Sequence, residues 1–183
     1  MIGELLRRVT AALEMAETPY MLTGSIVSSM YGTPRSTNDI DIVIAPAREQ
    51  LLSLIALFQR LGLTVATEAA LAAFRNRSQF NVLDLANGLK IDLIIRKDRE
   101  FSVTEFNRRE THEVEDVRLT IATPEDIVIA KLEWAKLGES DRQLADVAGV
   151  LKMQRDALDI SYIEQWVEKL GLRAEWLAAR EKV

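Results

Sequence analysis

Apolar positions along the chain follow two periods and divide it at about residue 121. Before that point, short runs rich in Ile and Val alternate with stretches whose apolar residues recur every three or four positions. This pattern predicts a mixture of strands and helices. After that point the helical period continues with little interruption, which predicts one helix after another. We therefore expect an α+β core over residues 1–121 and a C-terminal helical region over residues 122–183, packed on the core.

Several elements are predicted individually in the first part of the chain. A first helix begins near the N-terminus and ends at Thr18-Pro19, because proline cannot continue a helix. Residues 39–45 alternate carboxylate and aliphatic side chains, which is typical of a strand. Asn87-Gly88 separates two aliphatic runs and tolerates positive φ, so an antiparallel hairpin is expected there. Residues 111–121 are predicted to form one strand.

Helix starts are marked clearly in the second part. Thr123 precedes a proline and two acidic residues, which together supply an N-cap, a proline at the first helical position and an acidic third residue. Asp159 stands before another apolar-periodic stretch and is expected to cap that helix in the same way.

Composition narrows the class of protein. The chain has 183 residues, 48% of them hydrophobic, and no cysteine, so it can build a core without disulfides and has no thiolate metal site. A net charge of −5 argues against a dominant non-specific grip on nucleic acid. The N-terminal stretch lacks the features of a signal peptide, and no apolar run approaches the length of a membrane span. We expect a cytoplasmic protein with no membrane partner.

Asp39 and Asp41 are the first candidates for chemistry. At a spacing of two in a strand their side chains lie on one face, while the neighbouring isoleucines point to the other. Two carboxylates this close repel unless a cation lies between them. With no cysteine and one histidine in the chain, Mg²⁺ is the expected ion and Mn²⁺ the alternative. Alternatively, the two carboxylates could be solvated side chains that keep an edge strand from pairing with another chain.

A third acid is available on a later strand. Asp92 lies in the second aliphatic run of the predicted hairpin, and that strand could pair with the strand of Asp39 and Asp41. Asp84, in the first run, has similar aliphatic flanks. It could equally be a surface residue or a cross-strand charge partner. We favour Asp92 as the acid that completes a metal-binding triad.

Gly24-Ser25 stands where a predicted strand turns into a helix. There, glycine lets the backbone approach a phosphate, serine can donate a hydrogen bond to it, and the helix N-terminus offers unpaired N–H groups. The alternative is a plain helix cap at Ser25. Arg35 could balance triphosphate charge, or it could be a solvated loop residue.

Together these residues resemble the nucleotidyltransferase superfamily, which has a polymerase-β-like fold. The motif is Gly24-Ser25, then Asp39-Ile-Asp41, with Asp92 later. The longer string through Tyr-Gly-Thr-Pro-Arg-Ser-Thr-Asn-Asp-Ile-Asp, and the second-half string Ala-Thr-Pro-Glu-Asp-Ile, are similar to the AbiEii-type toxin branch. The resemblance covers most of the chain and implies a mixed β-sheet flanked by helices, followed by a helical bundle.

The resemblance also implies roles. Gly24 and Ser25 would hold the nucleotide phosphates, Asp39 and Asp41 would bind the catalytic metal, and Asp92 would be the third metal ligand or activate the acceptor. In the toxin branch a helical lysine contacts the nucleotide, and here it would be Lys131, with Asp146 nearby in a partly matching segment that carries glutamine at position 143. Lys131 is thus assigned both a catalytic and a nucleotide-binding role. Solvated helix residues remain the alternative for Lys131 and Asp146.

Three functions follow from this interpretation. The first is Mg²⁺-dependent transfer of an NMP from an NTP to a hydroxyl of tRNA, a protein or a small molecule, with an antitoxin protein as a further partner if the chain is a toxin. The second is a catalytically idle module that keeps the fold and binds nucleotide or a partner. The third is a metal-dependent phosphohydrolase that uses the same acids on water.

Overall fold

The computed structural model describes residues 2–114, 117–138 and 140–183. Its helices and strands are, in chain order, α1 (Ile2–Met15), β1 (Tyr20–Thr23), α2 (Gly24–Tyr31), β2 (Asp39–Ile44), α3 (Arg48–Arg60), β3 (Thr64–Val65), α4 (Thr67–Asn76), β4 (Gln79–Asp84), β5 (Leu89–Ile95), α5 (Glu100–Arg108), β6 (Glu110–Val114), β7 (Val117–Ile121), α6 (Pro124–Leu137), α7 (Ser140–Gln154), α8 (Ile160–Leu170) and α9 (Arg173–Arg180). A short 3₁₀ helix (Arg155–Ala157) follows α7.

The chain divides into two compact units. The first comprises Met1–Leu22 and Asn38–Ile121, and the second comprises Thr23–Thr37 and Ala122–Val183. The sequence predicts one division, at residue 121. The structure divides the chain there too, but it also groups α2 and the loop after it with the helical unit. The reason is that α2 packs against α6 and α7.

Within the described residues, seven strands form a sheet in the order β3-β4-β5-β2-β1-β7-β6. Strand β2 runs parallel to β5, and β1 runs parallel to β7. The pairs β3–β4, β4–β5 and β6–β7 are antiparallel. The sheet is therefore mixed, and the predicted α+β class is confirmed.

Strand β2 separates apolar from acidic side chains. Ile40, Ile42 and Ile44 are fully buried, as the period of two predicts. Burying three isoleucines stabilises the strand by roughly 5 to 9 kcal/mol before the cost of ordering the chain. A shift of the pairing by one residue would turn these side chains to the opposite face, so the core fixes the register and with it the direction of Asp39 and Asp41.

The predicted hairpin is confirmed as the antiparallel pair β4–β5, with Gly88 at a φ of +64°. Asp84 closes this hairpin. It is buried, and its Oδ2 accepts hydrogen bonds from Asn87 Nδ2 at 2.9 Å and from Arg8 Nη1 at 3.3 Å. The hydrogen bond from Asn87, followed by the charge of Arg8, lowers the pKa of Asp84 below its usual 3.8 although burial opposes this. Asp84 therefore ties the hairpin turn to α1.

We expect Asp84→Asn to lower the free energy of unfolding by about 1 kcal/mol at pH 7, because the substitution weakens a buried hydrogen-bonded contact. The pKa of Asp84 is lower in the folded chain than in the unfolded chain, so the ionised carboxylate stabilises the fold above pH 3.8. This stabilisation is lost as the pH falls through the folded pKa. The difference between the variant and the wild type should therefore narrow below about pH 4. Urea denaturation at pH 7 and pH 3 measures it.

The exposed Asp98 provides the control, since Asp98→Asn should change stability by less than about 0.5 kcal/mol at either pH. A difference between Asp84→Asn and wild type that is the same at both pH values would contradict the assigned role of Asp84.

The prediction of a single strand over residues 111–121 is wrong. Two antiparallel strands, β6 and β7, occupy this part of the chain, with Val114 opposite Val117. The dipeptide between them, residues 115–116, lies outside the described residues. In the sequence this dipeptide is Glu115-Asp116, and acidic residues are depleted in strands.

The predicted helix caps of the second unit are confirmed. Thr123 Oγ1 accepts the backbone N–H of Asp126 at 3.3 Å, and Asp159 Oδ1 accepts that of Tyr162 at 3.0 Å. These contacts satisfy N–H groups that the first turn of each helix leaves without an intrahelical partner. None of the helices among the described residues is long and apolar enough to cross a membrane.

Two glycines let α2 and α7 come into backbone contact. A Cβ placed on Gly32 would lie 2.7 Å from Val150 N and 2.9 Å from the carbonyl carbon of Gly149. A Cβ on Gly149 would lie 3.0 Å from Thr33 N. Because both neighbours of Gly32 are backbone atoms, they cannot turn away as a flexible side chain would. Glycine at position 32 therefore sets the distance between the end of α2 and α7.

Gly32→Ala should lower the free energy of unfolding by about 2 kcal/mol, since the added methyl group forces the two backbones apart. Denaturant unfolding followed by circular dichroism measures the change. Gly3→Ala in α1 is the matched control, because nothing lies within 4 Å of its added Cβ. Alanine favours a helix by up to about 1 kcal/mol over glycine, so this control should be neutral or stabilising. Equal unfolding midpoints for Gly32→Ala and wild type would contradict the close approach.

Candidate functional site

Three acids lie on adjacent strands of the first unit. In the parallel pair β2–β5, Asp41 stands directly opposite Asp92, and Asp39 stands opposite Lys90. Because side chains alternate along a strand, these four residues share one face of the sheet. Asp39 is exposed, Asp41 is half-buried and Asp92 is buried. The pairing of β2 with β5 thus brings the predicted triad to one place, whereas Asp84 belongs to the hairpin turn.

Lys90 lies between two of these acids. Its Nζ is 3.0 Å from Asp92 Oδ2 and 3.5 Å from Asp39 Oδ1. The hydrogen bond to Asp92, with the charges of Asp92 and Asp39, raises the pKa of Lys90 above its usual value although burial opposes this. The ammonium group therefore stays charged and neutralises part of the acidic face.

The two oxygens of Asp92 differ in their partners. Asp92 Oδ1 is buried and has no hydrogen-bond partner among the described residues. A buried acceptor without a donor is costly, and a hard cation would satisfy it. No group of three or more His, Asp or Glu residues in the described part of the chain is arranged to hold a metal alone. The donor set fits Mg²⁺ in its usual mode, in which one or two carboxylates act together with water and substrate phosphates.

Two polar residues on this face are absent from the sequence prediction. Lys90 precedes Asp92 by two positions, so the period of a strand places both on one face. The position of Lys90 could therefore have been predicted from the sequence. Asn81 on β4 stands opposite Asp92 in the antiparallel pair and is exposed. Asn81 reaches this face because of the register between β4 and β5. The residues around Asn81 do not reveal that register.

The second unit contains the other predicted site residues. Gly24, at a φ of +70°, begins α2 and is followed by Ser25. Thr23 occupies the N-cap position of α2, so Ser25 is not the cap residue. Instead, the hydroxyl of Ser25 accepts a hydrogen bond from Arg35 Nη2. Arg35 is half-buried and is thus not a simply solvated loop residue.

Asp146 on α7 joins the cations of this unit. Its Oδ1 accepts a hydrogen bond from Arg35 Nε at 2.9 Å, and its Oδ2 accepts one from Arg35 Nη2 at 3.0 Å. Lys131 on α6 donates to the same Oδ2 at 2.7 Å and to Gln143 Oε1 at 2.9 Å. The side chains of Lys131 and Asp146 are only 4% and 7% exposed. This is a buried network, so neither residue is a solvated helix residue.

The pKa of Asp146 reflects its two cations. Burial raises the pKa, but the hydrogen bonds and charges of Arg35 and Lys131 outweigh burial and hold the pKa below its usual value. Asp146 is therefore ionised at neutral pH. A bidentate contact of this kind fixes the direction of a guanidinium group as well as its charge, so Asp146 positions Arg35 against Ser25.

Solved structures share this fold. The antibiotic-resistance factor ANT(2'')-Ia matches in its solution structure, with a TM-score of 0.63 and 12% identity over 97% of this chain and 95% of that one. It also matches in its crystal structure in complex with adenylyl-2''-tobramycin, with a TM-score of 0.63 and 14% identity over 94% of this chain and 97% of that one. A protein of Thermotoga maritima assigned to the nucleotidyltransferases matches with a TM-score of 0.54 and 16% identity over 77% of this chain and 89% of that one.

No protein-family model matches the chain, and no curated protein matches its sequence. At 12 to 16% identity, the likeness to solved structures establishes the nucleotidyltransferase-like fold, and the chemistry has to be argued from the residues.

Proposed function

We propose that the chain is a Mg²⁺-dependent nucleotidyltransferase, which moves a nucleoside monophosphate from an NTP to a hydroxyl acceptor. The main support is the strand register, which sets Asp41 opposite Asp92 on parallel strands. In addition, one buried oxygen of Asp92 lacks a hydrogen-bond donor among the described residues. The shared fold of ANT(2'')-Ia, which was crystallised with an adenylylated compound, supports the same class of reaction.

In the proposed reaction the acceptor oxygen forms a bond to the α-phosphorus of the NTP. The bond from that phosphorus to the bridging oxygen breaks, pyrophosphate leaves with the electron pair, and the hydroxyl proton is released. Asp39, Asp41 and Asp92 would hold the metal together with water and the substrate phosphates, and the metal would supply the charge that lowers the pKa of the acceptor hydroxyl and stabilises pyrophosphate. The chain itself contributes oriented carboxylates, because this chemistry depends mainly on alignment and charge neutralisation.

For the second unit we propose a role in nucleotide binding. Arg35 and Lys131 are cations fixed in place by Asp146, and Ser25 offers a hydroxyl at the start of a helix. A helix N-terminus and fixed cations are suited to phosphate oxygens. Gly24 allows the positive φ of that corner, which other residues rarely adopt.

The acceptor is proposed from the likeness to ANT(2'')-Ia. A small hydroxylated molecule is the first to test, because the crystal structure of ANT(2'')-Ia holds adenylyl-2''-tobramycin. tRNA and protein hydroxyls are the other acceptors. A toxin role of the AbiEii type, in the cytoplasm and with a cognate antitoxin, would require in addition that expression arrests growth and that Asp41→Asn relieves the arrest.

Incubation of the purified chain with each α-³²P-labelled NTP, Mg²⁺ and pools of small hydroxylated compounds, tRNA or protein tests the proposal. Transfer of label to one acceptor, with release of pyrophosphate and loss of transfer in EDTA, is the expected result. Free labelled monophosphate without an acceptor product would point to a phosphohydrolase. Absence of turnover with every NTP and acceptor pool would contradict the proposal.

A catalytically idle nucleotide-binding module is the second candidate. The observation that favours it is that the acids do not form a three-residue metal group among the described residues and that Lys90 already contacts two of them. Equilibrium binding of an NTP with no turnover would support this candidate over the first.

A further inference from the structure

We infer that Lys90 is a built-in counter-cation of the acidic strand face and that a divalent metal ion binds this face only by displacing the Lys90 ammonium group. This inference rests on the proposed function, because it concerns the same acids. Lys90 would compete with the metal ion for these carboxylates and thereby lower the affinity of the face for the metal.

Lys90 bridges two neighbouring strands of the sheet. Lys90 Nζ contacts one oxygen of Asp92 at 3.0 Å and one of Asp39 at 3.5 Å, and these carboxylates belong to two different strands. A cation that bridges two strands in this way takes the position that a metal ion bound to both carboxylates would need. An ammonium group and a divalent ion cannot occupy that position together.

The charge of Lys90 also opposes a metal ion that binds beside it. Asp39, Asp41 and Asp92 share the face with Lys90, whose ammonium group contacts two of them. A metal that entered beside Lys90 would meet a like charge a few ångströms away, which weakens binding. Lys90 can leave, because its side chain is 38% exposed and stands on a flexible stem.

A metal ion would gain an oxygen of Asp92 that Lys90 does not contact. Asp92 Oδ1 lacks a hydrogen-bond donor among the described residues even with Lys90 bound to Oδ2. A divalent ion that took the place of Lys90 between Asp92 and Asp39 could also draw on Asp41, which stands opposite Asp92. Lys90 therefore stabilises the acidic face in the absence of metal, but it leaves Asp92 Oδ1 without a hydrogen-bond donor among the described residues.

Binding of Mn²⁺ alone, followed by the electron paramagnetic resonance of free Mn²⁺, tests the inference. Lys90→Met should bind Mn²⁺ at least about fivefold more tightly than wild type, because a competing positive charge is lost. Lys90→Arg retains the charge and should not show this gain. Lys97→Met, at an exposed lysine of the same unit, is the matched control and should bind like wild type.

A second measurement needs no substitution. Amine acylation of the wild-type chain, quantified at each lysine by mass spectrometry, should become at least about twofold faster at Lys90 when Mg²⁺ is added, since a displaced amine loses its carboxylate partners. The rate at Lys97 should stay constant.

The outcomes separate the inference from the proposed function. If Asp41→Asn abolishes Mn²⁺ binding but Lys90→Met binds no more tightly than wild type, and Mg²⁺ leaves acylation of Lys90 unchanged, the inference is overturned and the metal site stands. If neither wild type nor Lys90→Met binds Mn²⁺, both are overturned. Tighter binding by Lys90→Met together with faster acylation supports the inference.

Discussion

Asp41→Asn should abolish Mg²⁺-dependent nucleotidyl transfer, with a loss of at least about 10³-fold in kcat/KM. Asp41 is the central acid of the face, with Asp39 two positions away on β2 and Asp92 directly opposite on β5. Asparagine has the same shape but no charge, and Mg²⁺ strongly prefers anionic oxygen ligands. Initial rates with labelled NTP and a saturating acceptor measure the effect.

The fold should survive this change. Asp41 is half-buried and faces away from the isoleucine core of β2, so the thermal midpoint should move by less than about 2 °C. Glu49→Gln, at an exposed acid in the first turn of α3, is a control that removes one charge from the same unit and should keep full activity. Retention of transfer by a folded Asp41→Asn protein would falsify the assignment of the metal site.

Asp146→Asn should lower the free energy of unfolding by about 3 kcal/mol at pH 7. Lys131 and Asp146 are both nearly excluded from solvent, and Arg35 contacts the same carboxylate. Removal of the negative charge leaves two cations close together without the carboxylate that both contact. Breaking one side of a buried ion pair is costly for that reason, even where the intact pair adds little net stability.

The pH dependence of this effect has a definite sign. The folded pKa of Asp146 lies below its usual value, so its contribution is complete above the unfolded pKa of 3.8 and is lost as the pH falls through the folded value. The difference from wild type should thus be largest near neutral pH and smaller at pH 3. Asp141→Asn on the same helix is the control, because that side chain is 96% exposed. A Tm equal to wild type for Asp146→Asn would contradict the network.

Local sequence signals were sufficient for much of the fold. The alternation of Ile and Asp in β2, the Asn87-Gly88 turn and the caps at Thr123 and Asp159 each act over a few residues, and the structure has all four. Helix α4 was not predicted, although its alanine-rich stretch favours a helix, because its apolar face is narrow. The short helix α5 was not predicted either.

Contacts between residues far apart in the sequence could not be predicted from local patterns. The alignment of Asp41 with Asp92 requires β2 and β5 to be neighbours, and nothing in either segment states which strands pair. The contact between Arg35 and Asp146 joins residues 111 positions apart. Sequence reasoning therefore proposed the triad of Asp39, Asp41 and Asp92, and the structure supplied its register and further partners, Lys90 among them.

The grouping of α2 with the C-terminal helices has a consequence for biosynthesis. The helices α6 and α7 that pack against α2 leave the ribosome only after the whole of residues 38–121 has been made. During that interval the apolar side of α2, including Val27, has no native partner in its own unit. Such late, long-range closure slows folding, and a nascent chain stalled near residue 121 should expose α2 to proteases and chaperones until synthesis resumes.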